Sequence, residues 1–362
     1  MTRNCHGEPG QRAIESCHMA PTQSAVRERR LACSMTQAEL ASRAGVSRQL
    51  VAAVEVGRHA PAVDAALGIA RALGATVEDL FAPHPTQVLP ALGGQLREGA
   101  LLRVGRVDTR LVAAELPDHG AVGAVWASPD GIVEQGQVRL LGGGSPAGFV
   151  VAGCDPALGV AEGMLAGLGP MSLLAISAPT GRALHAMQAG LVHAAVVHGR
   201  PKRLPKPPLK VARWHLARWQ VGLAAPRRRK ALSLEAVLQG NGPIIQRDPD
   251  AACQQAFERA SRSAGFDVLP PGPRASSHLD AARTALFKGA TAITIEAGAR
   301  AFGLDFLPLE EHTVELWVDD RWRSHPGLEA LGQILATPAF IDRVSVFGGY
   351  DLTHCGERVE AA

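Results

Sequence analysis

Aromatic residues are scarce in this chain of 362 residues: they make up 4% of the sequence, and one of them is tyrosine. Long apolar runs are also missing, because no uninterrupted stretch reaches the ~18 residues that a membrane-spanning helix needs. The N-terminus lacks the apolar segment of a secretory signal. We therefore expect a cytoplasmic protein without a membrane partner. Small residues dominate instead, with 39 Gly, which is typical of tightly packed α/β proteins.

Cysteine pairs are absent as well: none of the six cysteines forms a CxxC motif. We interpret the cysteines as reduced thiols and predict neither a metal site nor a cofactor. The segments Cys5-His6 and Cys17-His18 could be imagined as zinc ligands. The interpretation that we favour is a disordered leader over residues 1–20 or a misplaced start codon, since Met19 directly precedes the first helical region.

Catalytic motifs are missing too. The sequence shows no GxSxG elbow, phosphate-binding P-loop, HExxH helix or Ser-His-Asp order. We predict that the protein is not an enzyme and has no catalytic residues. The alternative is Cys154, whose place at the start of a predicted helix could activate its thiol.

The net charge of +3 is too small to indicate nucleic-acid binding by itself. Its distribution says more, because residues 21–60 carry six Arg against three Glu. Residues 199–231 carry eleven Lys and Arg and no acid, and we interpret them as a solvated Pro-rich loop followed by a hinge strand. Additional contacts to DNA phosphates are the alternative for this stretch.

The pattern of apolar residues predicts a multidomain chain. An all-α region over 21–84 follows the leader, and residues 85–146 hold a linker, starting near Pro83-His84-Pro85, and a small antiparallel β module. Its strands are predicted at Leu101–Val107, Arg110–Leu116, Ala121–Ala127 and Ile132–Leu141. The module could be a spacer or a dimer surface.

Residues 147–355 alternate apolar strands with helices, which indicates a parallel sheet covered on both faces, and 356–362 form a tail. The predicted strands are Phe149–Ala152, Ser172–Ile176, Ala194–Val197, Pro243–Gln246 and Thr291–Ile295. A helical segment is predicted over Gly327–Phe347.

Residues 36–55 contain two helices joined by a tight turn. Thr36 begins the first helix with Glu39 three residues later, a capping box, and Gly45 supplies the backbone freedom for the turn. Ser47 caps the second helix. Its inner side is apolar, and its outer side presents Arg48, Gln49, Ala52 and Ala53, which suits the major groove of DNA.

The run from Met35 to Glu55, continued by Glu55-Val56-Gly57-Arg58 and Gly74–Phe81, resembles the Cro/repressor (Xre) family of helix-turn-helix DNA-binding domains. The resemblance implies a double-stranded DNA operator as partner and a homodimer. Leu50 departs from the family, where a polar residue is commoner. We expect the DNA-binding residues to be Thr36, Gln37, Ser47, Arg48, Gln49, Ala52, Ala53 and Arg58. The alternative is a helix-turn-helix that contacts only protein.

Residues 147–355 resemble the periplasmic-binding-protein superfamily in the cytoplasmic form related to molybdate-binding proteins. The segments that carry the resemblance are Val151–Leu158, Ser177–Arg182, His193–Gly199 and Phe347–Asp351. It implies a two-lobed α/β domain with a small ligand, such as a molybdate-like oxyanion, held where strands run into helices. The candidate ligand-binding residues are Cys154, Asp155, Ser177, Thr180, Arg182, Arg247, Asp248, His278 and Glu296.

The ligand's charge stays open at this point. Asp155 and Glu296 would repel a dianion unless Asp155 only caps a helix, so a hydroxylated or cationic ligand is the alternative. His193 and His198 are five residues apart on one strand and cannot face the same side, which argues against a metal pair. The sequence therefore predicts a ligand-responsive transcription regulator. The alternative is a small-molecule-binding protein with a vestigial helix-turn-helix.

Overall fold

The computed structural model describes residues 25–56, 58–81, 87–116, 129–141, 146–166, 172–227, 232–240, 242 and 244–359. The predicted leader, the linker prolines and the strand over 121–127 lie outside these residues. The chain divides into two compact units, residues 1–86 and 87–362, and each is described by itself.

The first unit is helical, as the sequence predicts. Its helices are α1 (Ala25–Ala32), α2 (Gln37–Ala44), α3 (Arg48–Glu55), α4 (Val63–Leu73) and α5 (Val77–Phe81). The predicted capping box is present, since Thr36 accepts from the Glu39 amide while Glu39 accepts from the Thr36 amide. Gly45 ends α2 with a φ of 69°, in the left-handed region that favours glycine. Ser47 caps α3 by accepting from the Leu50 amide.

The core of the first unit contains the apolar positions that the helical spacing places inward. Leu40, Val51 and Ile69 are fully buried there, and Val54 and Leu73 pack beside them. A Cβ atom added at Gly68 would lie 2.4 Å from the Ala44 carbonyl oxygen. Glycine at this position therefore lets α4 approach the end of α2 closely.

The second unit begins with the β module. Its strands are β1 (Val88–Pro90), β2 (Leu101–Val107), β3 (Arg110–Glu115), β4 (Gly131–Glu134) and β5 (Gln137–Leu140), in the order β1-β3-β2-β4-β5. The prediction of one strand over 132–141 is wrong, because Gln135 and Gly136 turn the chain with φ angles of 54° and 73°. The sheet is not wholly antiparallel either, since β1 runs parallel to β3.

The β module packs directly on the domain that follows it. Gly105 in β2 leaves no room for a side chain, since an added Cβ atom would lie 2.5 Å from Val150 Cγ2. Backbone hydrogen bonds also join Ala147 to Val104 and Arg106. The module therefore belongs to the same compact unit as the α/β domain.

The α/β domain contains the predicted alternation of strands and helices. Its strands are β6 (Phe149–Gly153), β7 (Leu173–Ser177), β8 (Ala194–Gly199), β9 (Val211–Ala225), β10 (Ile244–Ile245), β11 (Thr291–Ile295), β12 (Asp305–Asp319), β13 (Tyr350–Asp351) and β14 (Arg358–Val359). Its helices are α6 (Ala157–Ala166), α7 (Thr180–Gln188), α8 (Leu234–Leu238), α9 (Ala252–Ser263), α10 (His278–Lys288), α11 (Glu296–Ala301), α12 (Pro326–Leu335) and α13 (Pro338–Ser345).

The strand order β10-β11-β9-β12-β8-β6-β7 divides this sheet into two lobes. The first lobe comprises residues 146–166, 172–199 and 326–345, where β7, β6 and β8 are parallel. The second lobe comprises residues 232–240 and 244–301, around β10 and β11. Two strands of 15 residues each, β9 and β12, run through both lobes and pair with each other along their length. Their register shifts twice, between Pro308 and Glu310 and between Val314 and Glu315.

Two further predictions need correction. The single helical segment over 327–347 is two helices, because Thr337 and Pro338 end one and start the next. The predicted tail contains β14, which pairs with β9. Among the described helices none is long and apolar enough to cross a membrane.

Candidate DNA-binding face and ligand cleft

The N-terminal half of α3 presents its predicted polar face. Arg48 and Gln49 are exposed, whereas Val51 and Val54 are buried in the core. Ala52 and Ala53 are half-buried, and Arg58 is exposed just after the helix. The short side chains of Ala52 and Ala53 leave room for a major groove, and Arg48 and Gln49 supply long hydrogen-bond donors beside them.

Gln37 has a role that the sequence did not predict. Its side-chain amide donates to Glu55 Oε2 at 2.9 Å, and Glu55 also accepts a bidentate pair of hydrogen bonds from Arg30. Arg30 and Glu55 are buried, so this cluster fixes α1 and α2 against α3. That Gln37 binds DNA remains a prediction, and its side-chain amide is engaged by Glu55 in this structure.

The two lobes bring four of the predicted ligand residues into one buried cluster. Cys154 follows β6, Thr180 begins α7, Arg247 follows β10 and His278 begins α10. All four side chains are buried, and the Thr180 hydroxyl accepts from the His198 amide at 3.4 Å. The sequence rule that ligands lie where strands run into helices thus selects these positions.

His198, which is not among the predicted ligand residues, lies at the centre of the cluster. Its Nε2 atom is 3.2 Å from Cys154 Sγ, and its Nδ1 atom is 2.9 Å from His312 Nδ1. His312 Nε2 lies 2.7 Å from Glu310 Oε1, and Arg259 holds the same carboxylate. A chain of hydrogen bonds therefore runs from the first lobe through β12 to the second.

The ionised carboxylate of Glu310 determines which atom donates and which accepts at each hydrogen bond from Glu310 to Cys154. Burial raises the pKa of Glu310, but hydrogen bonds from Arg259 and His312 lower it by more, so the carboxylate is ionised and only accepts. His312 must donate from Nε2, and burial lowers its pKa and keeps the ring neutral, which leaves its Nδ1 to accept from His198. His198 Nε2 then accepts from the Cys154 thiol, whose pKa burial raises to about 12.

Arg247 contributes to the cluster from the second lobe, and its positive charge has no ion-pair partner among the described residues. Its side chain is 1% exposed, and no ion pair formed by the described residues includes it. Nη1 lies 3.0 Å from His278 Nδ1, and Nε donates to the Ala275 carbonyl. Because a guanidinium only donates, His278 Nδ1 accepts, and this ring carries its proton on Nε2. Burial lowers the pKa of His278 well below its ordinary value, so the ring is neutral.

Three buried donors of this cluster have no acceptor in the described part of the protein. They are Arg247 Nη2, His278 Nε2 and Trp219 Nε1. Trp219 packs against both histidines, with ring centroids 5.2 Å from His198 and 5.9 Å from His278. Buried donors are nearly always paired in folded proteins, so this group indicates a binding site.

Asp155 is turned away from these donors. Its Oδ1 atom accepts from the Ala157 amide at the start of α6 and from the Tyr350 hydroxyl. Burial raises its pKa to about 6, although both hydrogen bonds act in the opposite direction. Asp155 therefore combines the predicted capping role with a link to β13.

The other predicted ligand residues lie elsewhere. Ser177 and Arg182 are exposed, Asp248 accepts from the Asp250 amide in a turn, and Glu296 pairs with Arg300 one helical turn away. Ser177 instead lines a cavity of about 650 Å³ between the β module and both lobes, together with Ser276 and Asp280 at the start of α10.

Sequence reasoning missed three members of the cluster: Trp219, His312 and Glu310. They belong to the crossing strands, where no turn or helix start marks a functional position. His312 faces Trp219 across the β9–β12 ladder. The signal that could have found them is the central place of those strands between the lobes.

Comparison with known proteins agrees with both units. The helix-turn-helix family matches residues 26–80, and the PBP superfamily domain matches residues 163–336. An uncharacterized HTH-type transcriptional regulator of Methanothermobacter thermautotrophicus is 49% identical over 57 residues, which are 16% of this chain and 83% of that protein. Another, from Archaeoglobus fulgidus, is 43% identical over 56 residues, 16% of this chain and 80% of the relative.

Solved structures with a similar second unit include a tungstate ABC transporter protein of Geobacter sulfurreducens and an ABC-type phosphate transport receptor of Vibrio cholerae. The first has a TM-score of 0.40 and 15% identity, covering 55% of this chain and 97% of that one. The second has a TM-score of 0.39 and 10% identity, covering 56% and 99%.

These findings define the class first: a helical DNA-binding unit of the Xre type is joined to a PBP-like α/β domain, as the sequence predicted. Through residues 26–80, the chain belongs to the helix-turn-helix family of transcriptional regulators.

Proposed function

We propose that the protein is a transcription regulator that binds an operator as a homodimer through α3 and senses a small anion in the cleft between its lobes. Arg48 and Gln49 read bases, while Arg58 and the helix starts at Thr36 and Ser47 hold phosphates. The second unit performs no catalysis; it binds its ligand reversibly and changes the affinity for DNA.

The buried charge of Arg247 is the main observation in support of an anionic ligand. A guanidinium remains positive in proteins, and an isolated buried charge is costly unless an opposite charge compensates it. A bound anion would supply that charge. A cationic ligand, the alternative that the sequence left open, would add to the cost.

The unpaired donors refine the chemistry of this anion. Arg247 Nη2, His278 Nε2 and Trp219 Nε1 all donate, so the ligand must offer several acceptor atoms. Fixed donors suit oxyanions such as molybdate, tungstate, sulfate or phosphate.

Thermal unfolding of the full chain, monitored by tryptophan fluorescence, tests whether an anion binds to the second unit. Each oxyanion is added at constant ionic strength, with chloride as the reference and with amines and sugars as further probes. An anion at 100 times its Kd stabilises the second unit by about 2.7 kcal/mol. A shift produced only by amines or sugars would refute the proposal.

Two variants connect the response to the structure. R247M is expected to abolish the stabilisation by anions and to unfold no earlier than wild type without them, because it removes an uncompensated charge. R182M, the matched control at an exposed arginine of the first lobe, is expected to respond as wild type. A normal response of R247M would show that the anion binds elsewhere.

The regulatory half needs an operator, obtained by selection from random duplex DNA. We expect its affinity to change in the presence of the stabilising anion. Equal affinity with and without that anion would refute sensing, and weak binding without sequence preference would indicate a vestigial helix-turn-helix.

A further inference from the structure

Cys154, His198 and His278 form a compact group of metal-binding side chains. One candidate ligand atom from each lies within 4.8 Å of the other two, and all three residues are buried. Two of the residues belong to the first lobe and one to the second. This group differs from the hydrogen-bond donors of the anion site, because sulfur and imidazole nitrogen bind soft and borderline metal ions.

We propose that Cys154 and His198, with His278 as a weaker third ligand, bind one soft monovalent d¹⁰ metal ion, Cu(I).

His198 is oriented as a metal ligand. Its Nδ1 proton is held by His312, which in turn donates to the Glu310 carboxylate. This arrangement leaves the Nε2 lone pair directed at Cys154 Sγ, 3.2 Å away. Histidine ligands of metals characteristically donate their other ring proton to a carboxylate, here through one intervening histidine.

Charge selects a monovalent ion. Binding breaks the Cys154 S–H bond, forms an S–metal bond and releases the proton to solvent, with no oxidation or reduction. A monovalent ion therefore leaves the net charge of the site unchanged, whereas a divalent ion adds one positive charge beside Arg247. Hard cations such as Mg²⁺ prefer oxygen ligands, and these three residues offer none.

His278 is the weaker ligand because its Nδ1 atom accepts from Arg247, which leaves the proton on Nε2. It can coordinate only after Arg247 releases Nδ1 and the proton moves there. Substitutions should therefore weaken binding in a definite order, most at Cys154 and His198 and least at His278.

The test uses the reduced full chain under anaerobic conditions, with Cys5, Cys17 and Cys33 replaced by Ser to remove the three thiols that precede the second unit. Cu(I) is supplied from a chromophoric chelator. We expect this protein to remove one equivalent, C154S and H198Q to remove none at the same chelator concentration, and H312Q to bind about 10- to 100-fold more weakly. C355S, the matched control at a half-buried thiol, should bind as its parent.

X-ray absorption of the copper-loaded protein gives a readout that needs no cleft variant. One sulfur and one or two nitrogen neighbours are expected. No uptake, an oxygen-only coordination shell, or full uptake by a folded C154S would each overturn the proposal. R247M separates the metal site from the anion site, since it should lose the anion response but retain Cu(I), with affinity equal to or higher than wild type.

Discussion

Arg30 and Glu55 form a bidentate ion pair in the core of the first unit, with Nε–Oε1 and Nη2–Oε2 distances of 2.6 and 3.1 Å. The pair joins α1 to α3, and the Gln37 amide completes it. The orientation of the DNA-reading helix therefore depends on a polar contact as well as on apolar packing.

Substitution R30M should destabilise the first unit by about 3–5 kcal/mol, because it leaves a buried carboxylate without its partner. Circular dichroism of the full chain measures the loss of helix. All five tryptophans follow residue 86, so their fluorescence should show an unchanged transition for the second unit. R43M is the control at an exposed arginine and should alter stability by no more than about 0.5 kcal/mol. Equal effects of both substitutions would contradict this account of Arg30.

Protonation of Glu55 at acid pH should destabilise the first unit. Burial raises the pKa of Glu55, but hydrogen bonds from Arg30 and Gln37 and the Arg30 charge bring it below the ordinary value. A carboxyl whose pKa is lower in the folded state stabilises fully above its unfolded pKa, about 4.3, and loses this contribution as the pH falls through the folded value. Stability measured by helix content should therefore decline below about pH 4.5.

The variant E55Q provides the comparison for this pH dependence. It starts from a lower stability but should show a shallower decline below about pH 4.5, since it has no carboxyl to titrate. Glu39 in the capping box also has a lowered pKa, through its hydrogen bonds with Thr36, and contributes equally to both proteins. Parallel acid profiles would show that Glu55 is not the responsible group.

Operator recognition should separate Arg48 from Arg58. R48A is expected to lose about 1–3 kcal/mol of affinity for the operator and to relax the preference at one base pair. R58A is expected to weaken binding to operator and to random DNA alike. It should also reduce the slope of log affinity against log salt concentration by about one. Titration of both DNAs at several salt concentrations measures these effects. A uniform loss in R48A would place Arg48 on phosphate.

Glycine substitutions test the attachment of the β module. G105A should destabilise the second unit by about 1–3 kcal/mol, because its Cβ atom would lie 2.5 Å from Val150 Cγ2. G163A, at an exposed position of α6, meets no atom within 4 Å and should stabilise the same unit by up to about 1 kcal/mol. Tryptophan fluorescence during chemical unfolding compares them. Similar effects of the two substitutions would contradict close packing of β2 on β6.

The sequence predicts the first unit well because its signals are local. Thr36 and Glu39 meet within one helical turn, and Gly45 marks the turn by itself. The strand-to-helix junctions are nearly as local, so Cys154, Thr180, Arg247 and His278 could be selected. Junction patterns do not reveal burial, however, and Ser177 and Arg182 fit the same rule while lying exposed.

The centre of the cleft depends on contacts between distant positions. Cys154 meets His198 across 44 residues, and His198 meets His312 across 114. His193 packs with Phe149, Trp322 and His325. The spacing of His193 and His198 along the chain does not reveal that His198 finds a partner on another strand. Pairing β9 with β12 is what brings these residues together.

The crossing strands β9 and β12 pair with each other over about 50 Å within the larger sheet, at ~3.3 Å per residue. Extended backbone resists stretching because its length is set by covalent geometry, whereas a ribbon twists at little cost. The lobes can therefore turn against each other without changing the length of their connection. Register shifts increase local twist, and the two along this pair of strands, at Leu309 of β12 and at Leu216 of β9, bracket residues 310–314 of β12. His312, the histidine that links His198 to Glu310, lies in this segment between the two points of increased twist.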